Sequence, residues 1–193
     1  DSDLADMLTI TGTATLSNAD GIMTTGPLTL KDATLTLTGN IEGDIGEDAI
    51  RAGRSDENIT IQNSKVTIAG TNAEGNFFQF GIRCGKLIVA NSTLDVKAGG
   101  SAIVAADEME VSGAGTVITA ETDSQNEEDY AIELNNENSL TMNDGLVLVE
   151  GEVNKSRKAK IAQPEQAPTN HMAYWVVRPG DTPAPSMQIP GAI

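Results

Sequence analysis

GIRCGKLIVANSTLDVKAG, residues 81–99, carries apolar side chains at Leu87 and Val89 and, after a short polar corner, at Leu94 and Val96. Aligned on the first of these positions, the same offsets of two, seven and nine recur at Leu28, Leu30, Leu35, Leu37 and at Ile59, Ile61, Val66, Ile68. They recur again at Met109, Val111, Thr116, Ile118 and at Leu140, Met142, Val147, Val149, where Thr116 is the one member that is not apolar. A small residue and an isoleucine lead each copy, at Gly21-Ile22, Ala49-Ile50, Gly81-Ile82, Ala102-Ile103 and Ala131-Ile132.

Within a copy the period is two. Leu87, Val89, Leu94 and Val96 fall on one face, and Ile88, Asp95 and Lys97 fall on the other, which is the pattern of a strand with one buried face. The corners (Asp32-Ala33, Asn63-Ser64, Asn91-Ser92, Gly113-Ala114, Asp144-Gly145) combine Asn, Asp or Gly, which tolerate left-handed backbone, with a small residue that leaves room for stacking. Lead isoleucines lie 28, 32, 21 and 29 residues apart, too short for a copy to bury its own apolar face, so neighbouring copies must cover one another. A β-sandwich also alternates, but it gives no reason for the shared offsets. The expected fold is all-β: a right-handed single-stranded parallel β-helix, or β-solenoid, of about five coils with irregular caps and three short strands per coil.

Outside the copies the chain changes character. Leu8, Ile10, Ala14 and Leu16 around Gly12 make an imperfect copy, read as an N-terminal cap. Beyond residue 153 the repeat stops, and every proline but Pro27 is found there, at Pro164, Pro168, Pro179, Pro183, Pro185 and Pro190. Residues 1–153 are therefore expected to form the β-helix domain. Residues 154–193 are expected to form a proline-rich tail in which residues 173–177, AYWVV, can dock on the last coil.

A formal net charge of -16 opposes binding to nucleic acid phosphates or to an anionic membrane. No apolar run is long enough to insert in a bilayer. The sequence opens without an initiator methionine or signal peptide, as expected of a processed chain. Cys84, the single cysteine, is expected in the core with the inward residues Thr24, Ala52, Ala105 and Leu134 of the other copies.

The longest insertions share one position, between the third strand of one copy and the lead strand of the next, and so share one flank. There Glu42, Asp44, Glu47 and Asp48, with Asp20 one copy earlier, are candidate ligands for calcium, which takes six to eight oxygens in proteins generally; a solvated acidic loop is the alternative. Phe77, Phe78 and Phe80 could stack on sugar rings or pin the loop to the body. Arg51 and Arg83 follow successive lead isoleucines, so alternation turns both outward, about 5 Å apart. Asp48 or Glu133 could bridge them structurally; a uronate carboxylate is the functional alternative. No catalytic triad, zinc ligand set or phosphate-cradling glycine loop is present.

Residues 20–39, with DGI followed by LTLKDATLTLTG and echoed in residues 81–99, resemble the bacterial cell-surface proteins called carbohydrate-binding domain-containing, which are parallel β-helices similar to pectate lyases. The resemblance covers residues 20–151. It implies an exported or cell-surface protein that binds polysaccharide, often with calcium. On that footing the leading expectation is a non-catalytic binding module. A calcium-dependent lyase is the first alternative, with Arg51 or Arg83 as its base beside Asp48. A structural stalk or adhesin domain is the second.

Overall fold

The computed structural model describes residues 7–19, 21–39, 48–54, 56–69, 78–122, 129–134, 140–150, 161–162 and 173–177. These residues are all-β, with no helix among them, and every strand pairing is parallel, an arrangement compatible with a β-solenoid. The strands are β1 (Leu8–Ala19), β2 (Ile22–Thr24), β3 (Leu28–Gly39), β4 (Asp48–Ala52), β5 (Ile59–Gln62), β6 (Lys65–Ala69), β7 (Phe80–Ala90) and β8 (Thr93–Ala98). They continue as β9 (Ile103–Ser112), β10 (Val117–Thr122), β11 (Ile132–Leu134), β12 (Leu140–Met142), β13 (Leu146–Glu150), β14 (Ile161–Ala162) and β15 (Ala173–Val177).

Each repeat pairs with the one before and the one after. Ile22, Ile50, Ile82, Ile103 and Ile132 are successive register partners along the lead strands. Leu30, Ile61, Val89, Val111 and Met142 form a second row in the same way. Both rows point into one core, and Ile50, Ile61, Ile82, Val89, Ile103 and Val111 are fully buried. The glycine ahead of Ile82 has a steric cause: a Cβ on Gly81 would lie 2.3 Å from Val96 Cγ1 and 2.4 Å from the Ala102 carbonyl.

The third row departs from the sequence expectation in one repeat. Leu94 pairs with Ile118 and Val96 with Ala120, and these pair onward with Val147 and Val149, so Thr116 is not the third-strand partner of Leu94. The corner of that repeat is two residues longer, and Thr116 stands beside Ser92. The Ser92 N–H donates to Thr116 Oγ1 at 3.4 Å, while the Val117 N–H donates to the Ser92 carbonyl at 2.9 Å.

Thr116 thereby joins a column of hydroxyls that runs through the corners. Ala33 N–H donates to Ser64 Oγ and Ser64 N–H donates to Ser92 Oγ, each at 3.0 Å. Each hydroxyl then turns back on its own repeat: Ser64 Oγ–H donates to the Gln62 carbonyl and Ser92 Oγ–H to the Ala90 carbonyl, both at 2.7 Å. Thr116 does the same to the Ser112 carbonyl. The small corner residue thus also satisfies buried backbone groups that a bend leaves unpaired. The bends themselves are left-handed at Asp32, Asn63 and Asn91, with φ of 50°, 48° and 48°. Gly113 takes that role next at φ +87°, where a Cβ would lie 2.1 Å from Asn91 Oδ1.

Both ends of the ladder carry extra strands. β1 lies parallel to β3 with Leu8, Ile10, Ala14 and Leu16 opposite Leu28, Leu30, Leu35 and Leu37, a copy one residue short at its corner. At the other end β14 pairs with β12 and β15 with β13, so Ala173 to Val177 adds a strand beside Leu146 to Glu150. No helix among the described residues is long and apolar enough to cross a membrane.

Candidate functional site

The lead strands present one outward residue between two inward ones, and stacking turns these into a column: Met23, Arg51, Arg83, Val104 and Glu133. Adjacent strands bring the two arginines side by side. Asp48 opens β4 and is only 1% exposed, yet its carboxylate is paired on both oxygens. Arg51 Nη1 donates to Oδ2 at 3.1 Å and Arg83 Nη1 donates to Oδ1 at 3.2 Å. One carboxylate therefore holds two like charges together, as charge-assisted bonds can.

The guanidiniums are not fully used by this bridge. The side chains remain 35% and 31% exposed for Arg51 and Arg83. Among the described residues, neither Nε, both buried, has a hydrogen-bond partner. The Arg83 guanidinium also lies over the Phe80 ring, 4.4 Å from its centroid, a cation–π contact that fixes its plane. Arg51 in turn lines an open cleft of about 450 Å³ with Met23, Thr24, Thr25, Gly53, Arg54, Asp56 and Glu57. The wall of this cleft is the loop between β4 and β5, shaped in part by the Arg54 N–H donating to Asp56 Oδ1 at 3.0 Å. Gly85 makes room for that loop in the next repeat: its N–H donates to the Glu57 carbonyl at 2.9 Å, and a Cβ there would lie 2.4 Å from the Asp56 carbonyl oxygen.

Other expected site residues are distributed differently. Phe78 is buried in the core, where it pins the chain ahead of β7, and its carbonyl accepts the Gly99 N–H at 2.8 Å. Phe80 is half-buried beside Arg83. Glu133 accepts from the Ser101 hydroxyl at 3.3 Å and is separated from Arg83 by Val104 in the register, so the bridging carboxylate is that of Asp48. Asp20, Glu42, Asp44, Glu47 and Phe77 lie outside the described residues. Among the described residues no group of three or more His, Cys, Asp or Glu side chains is placed to hold a metal ion. Asp48 does not fit a calcium ligand as it stands, because a divalent cation there would face two guanidinium charges already bonded to its oxygens.

Cys84 is buried against Ala105, and burial pushes its thiol up to about 12. It is a core side chain, and a thiol held protonated in this way is a poor nucleophile. Two further charge clusters decorate other faces. Lys86 bridges Glu108 at 2.9 Å and Glu110 at 3.1 Å, and Lys97 pairs with Glu121. Hydrogen bonds to Glu108 first, and then to Glu110, hold the Lys86 ammonium above its ordinary range.

The cleft residues Arg54, Asp56 and Glu57 are the ones that sequence reasoning missed. Their signal was the six residues between Ala52 and Ile59, a spacing absent from the third repeat, where Gly85 and Lys86 alone separate Cys84 from Leu87. Comparison with protein-family models, curated proteins and solved structures finds no match for this chain.

Proposed function

We propose that this protein is a non-catalytic, secreted or cell-surface module of bacterial type, a right-handed parallel β-helix of about five coils, that binds an acidic polysaccharide on its lead-strand flank. The observation that carries the reading is the pair of guanidiniums on adjacent strands, bridged by one buried carboxylate and still about a third exposed. In a chain of net charge -16 such a fixed cationic pair is unusual, and a uronate carboxylate matches its planar donors. The adjoining cleft offers apolar surface from Met23 together with the hydroxyl of Thr25 for a neighbouring sugar ring, while the Thr24 hydroxyl donates to the Gly26 carbonyl at 2.6 Å. Arginine then does the work that calcium would otherwise do in neutralising the sugar acid, so recognition at this site needs no metal.

A lyase would require one of these arginines to accept a proton. A guanidinium that donates to Asp48 and carries no lone pair is suited to holding an anion.

Calorimetric titration with oligogalacturonate and with a neutral cello-oligosaccharide of equal length tests the reading. The expected result is preferential binding of the acidic oligomer, weakened by salt, unchanged by a chelator and lowered at least about tenfold in Arg51→Met and Arg83→Met, the loss of one charge-assisted bond. Equal binding of the two oligomers, or full binding by both variants, overturns it. Absorbance from an unsaturated product that grows with time would make the protein an enzyme.

A further inference from the structure

The first strand reads LTITGTATL from Leu8 to Leu16, and about Gly12 it is a palindrome in all but Ile10 and Ala14. We propose that this edge is a self-complementary interface, and that two copies of the chain join head to head by antiparallel pairing of β1 with its partner across a two-fold axis at Gly12.

Three observations converge on that occupant. First, among the described residues the edge is open and apolar: β1 pairs with β3 alone, and Met7, Leu8 and Met23, the exposed large hydrophobic residues of this set, all lie at this end of the ladder. Ile10, Ala14, Leu16 and Ile22, which are only partly buried against the core, lie there too. Second, the hydrogen-bonding groups face the right way. Leu8 donates its N–H to Pro27 in the next repeat, so by alternation Thr9 turns its own N–H and carbonyl outward along the edge. In the third-strand portion the outward residue bonds toward the preceding repeat, as Thr93 N–H does to the Ser64 carbonyl, and Thr13, which shares a register column with Thr93, therefore faces the open edge, as does Thr15. Third, the edge lacks two of the devices that keep strands apart, charge and proline. Residues 7–19 contain no charged residue and no proline, in a chain whose charges otherwise sum to -16.

Rotation about Gly12 then matches like with like. Leu8 meets the partner's Leu16 and Ile10 meets the partner's Ala14 on the core side. On the outer side Thr9 meets the partner's Thr15 and Thr11 meets the partner's Thr13, threonine pairs being favourable across antiparallel strands. Nothing lies within 4 Å of a Cβ built on Gly12, so the axis itself is free for the approach. A two-fold interface of this kind closes on itself and produces a dimer, not a fibre. It also leaves the acidic bodies pointing away from each other.

Sedimentation equilibrium on the full chain tests the proposal, with circular dichroism as the check on folding. The wild type is expected to dimerise with concentration. Thr9→Lys combined with Thr15→Lys places like charges opposite each other twice and is expected to weaken the dimer on the order of tenfold or more. Thr9→Lys combined with Thr15→Glu puts opposite charges at the same two places, carries the same lysine as a folding control, and is expected to retain the dimer. A wild type that stays monomeric to about 100 μM, well above the micromolar range of weak specific association, overturns the proposal. So does a double-lysine variant that dimerises like wild type, or a Lys/Glu variant that folds but is as monomeric as the double lysine.

Discussion

The corner column and the lead-strand column run along the same stack and are built on opposite plans. At the corners Ser64, Ser92 and Thr116 do the same job in consecutive repeats, each accepting one backbone N–H and donating to one carbonyl of its own repeat. On the lead flank Met23, Arg51, Arg83, Val104 and Glu133 share a position and little chemistry. A column that repeats its residue type is solving a problem that every repeat has, namely backbone groups buried at a bend. A column that varies is free of that problem, and there a charged pair with a cleft beside it can be placed without cost to the stack. The two also differ in water: Ser92 and Thr116 are 2% and 0% exposed, whereas both arginines reach solvent.

Ser92→Ala strands the Ser64 N–H in a dry site and is expected to cost about 2 kcal/mol of unfolding free energy in urea titrations. Asp48→Ala breaks two ion pairs, but the released arginines regain water, so the expected loss is only about 1 kcal/mol. The same variant should bind oligogalacturonate more tightly, because the cationic pair loses its internal counter-charge. A larger loss for Asp48→Ala than for Ser92→Ala would mean that the flank, too, is there for the stack. Thr116→Val removes a longer, weaker acceptor and is expected to cost about 1 kcal/mol by the same measurement. Lys97→Met deletes a partly exposed pair with Glu121 on a different face and should change stability by no more than about 0.5 kcal/mol.

Alkaline pH probes the interior of the same stack. The folded Cys84 thiol titrates near 12 against an ordinary value of 9.0, so the folded state holds its proton when the unfolded chain has lost it. Stability is therefore fully present below about pH 9 and falls as pH rises toward about 12. Lys86, raised by its two glutamates, loses its contribution in the same direction at still higher pH than the ordinary lysine range. The slope of unfolding free energy between pH 9 and pH 11 should be shallower in Cys84→Ala than in wild type. An ordinary thiol reagent should react with Cys84 only as fast as the protein unfolds.

The rows of aliphatic residues were legible because alternation and common offsets are the direct imprint of stacked strands. Their one misreading came at Thr116. A corner holding both Gly113 and Gly115 can be threaded at two lengths, and spacing alone favoured the shorter; the polar residue at an apolar position was the clue that the longer one forms. On the flank, alternation was enough to set Arg51 beside Arg83, and Asp48 was one of two carboxylates within reach. What alternation could not convey is that Asp48 spends both oxygens on the pair, or that the loop around Arg54 and Glu57 folds up beside it. Those depend on side-chain direction and loop path, which have no period to read.

The hydroxyl column has a direction as well as a composition, since each member receives from the repeat before it and returns its own proton inward. Repeats joined by such a relay are interchangeable only where their bends are of equal length. The second and third could be duplicated or exchanged and still be handed on in phase, whereas the fourth, with its longer bend, can serve only at the place where it now stands. The molecule is accordingly modular in its middle and irregular at the fourth bend and at the shorter corner of β1, and attempts to lengthen it by design should splice new units beside Ser64 and Ser92.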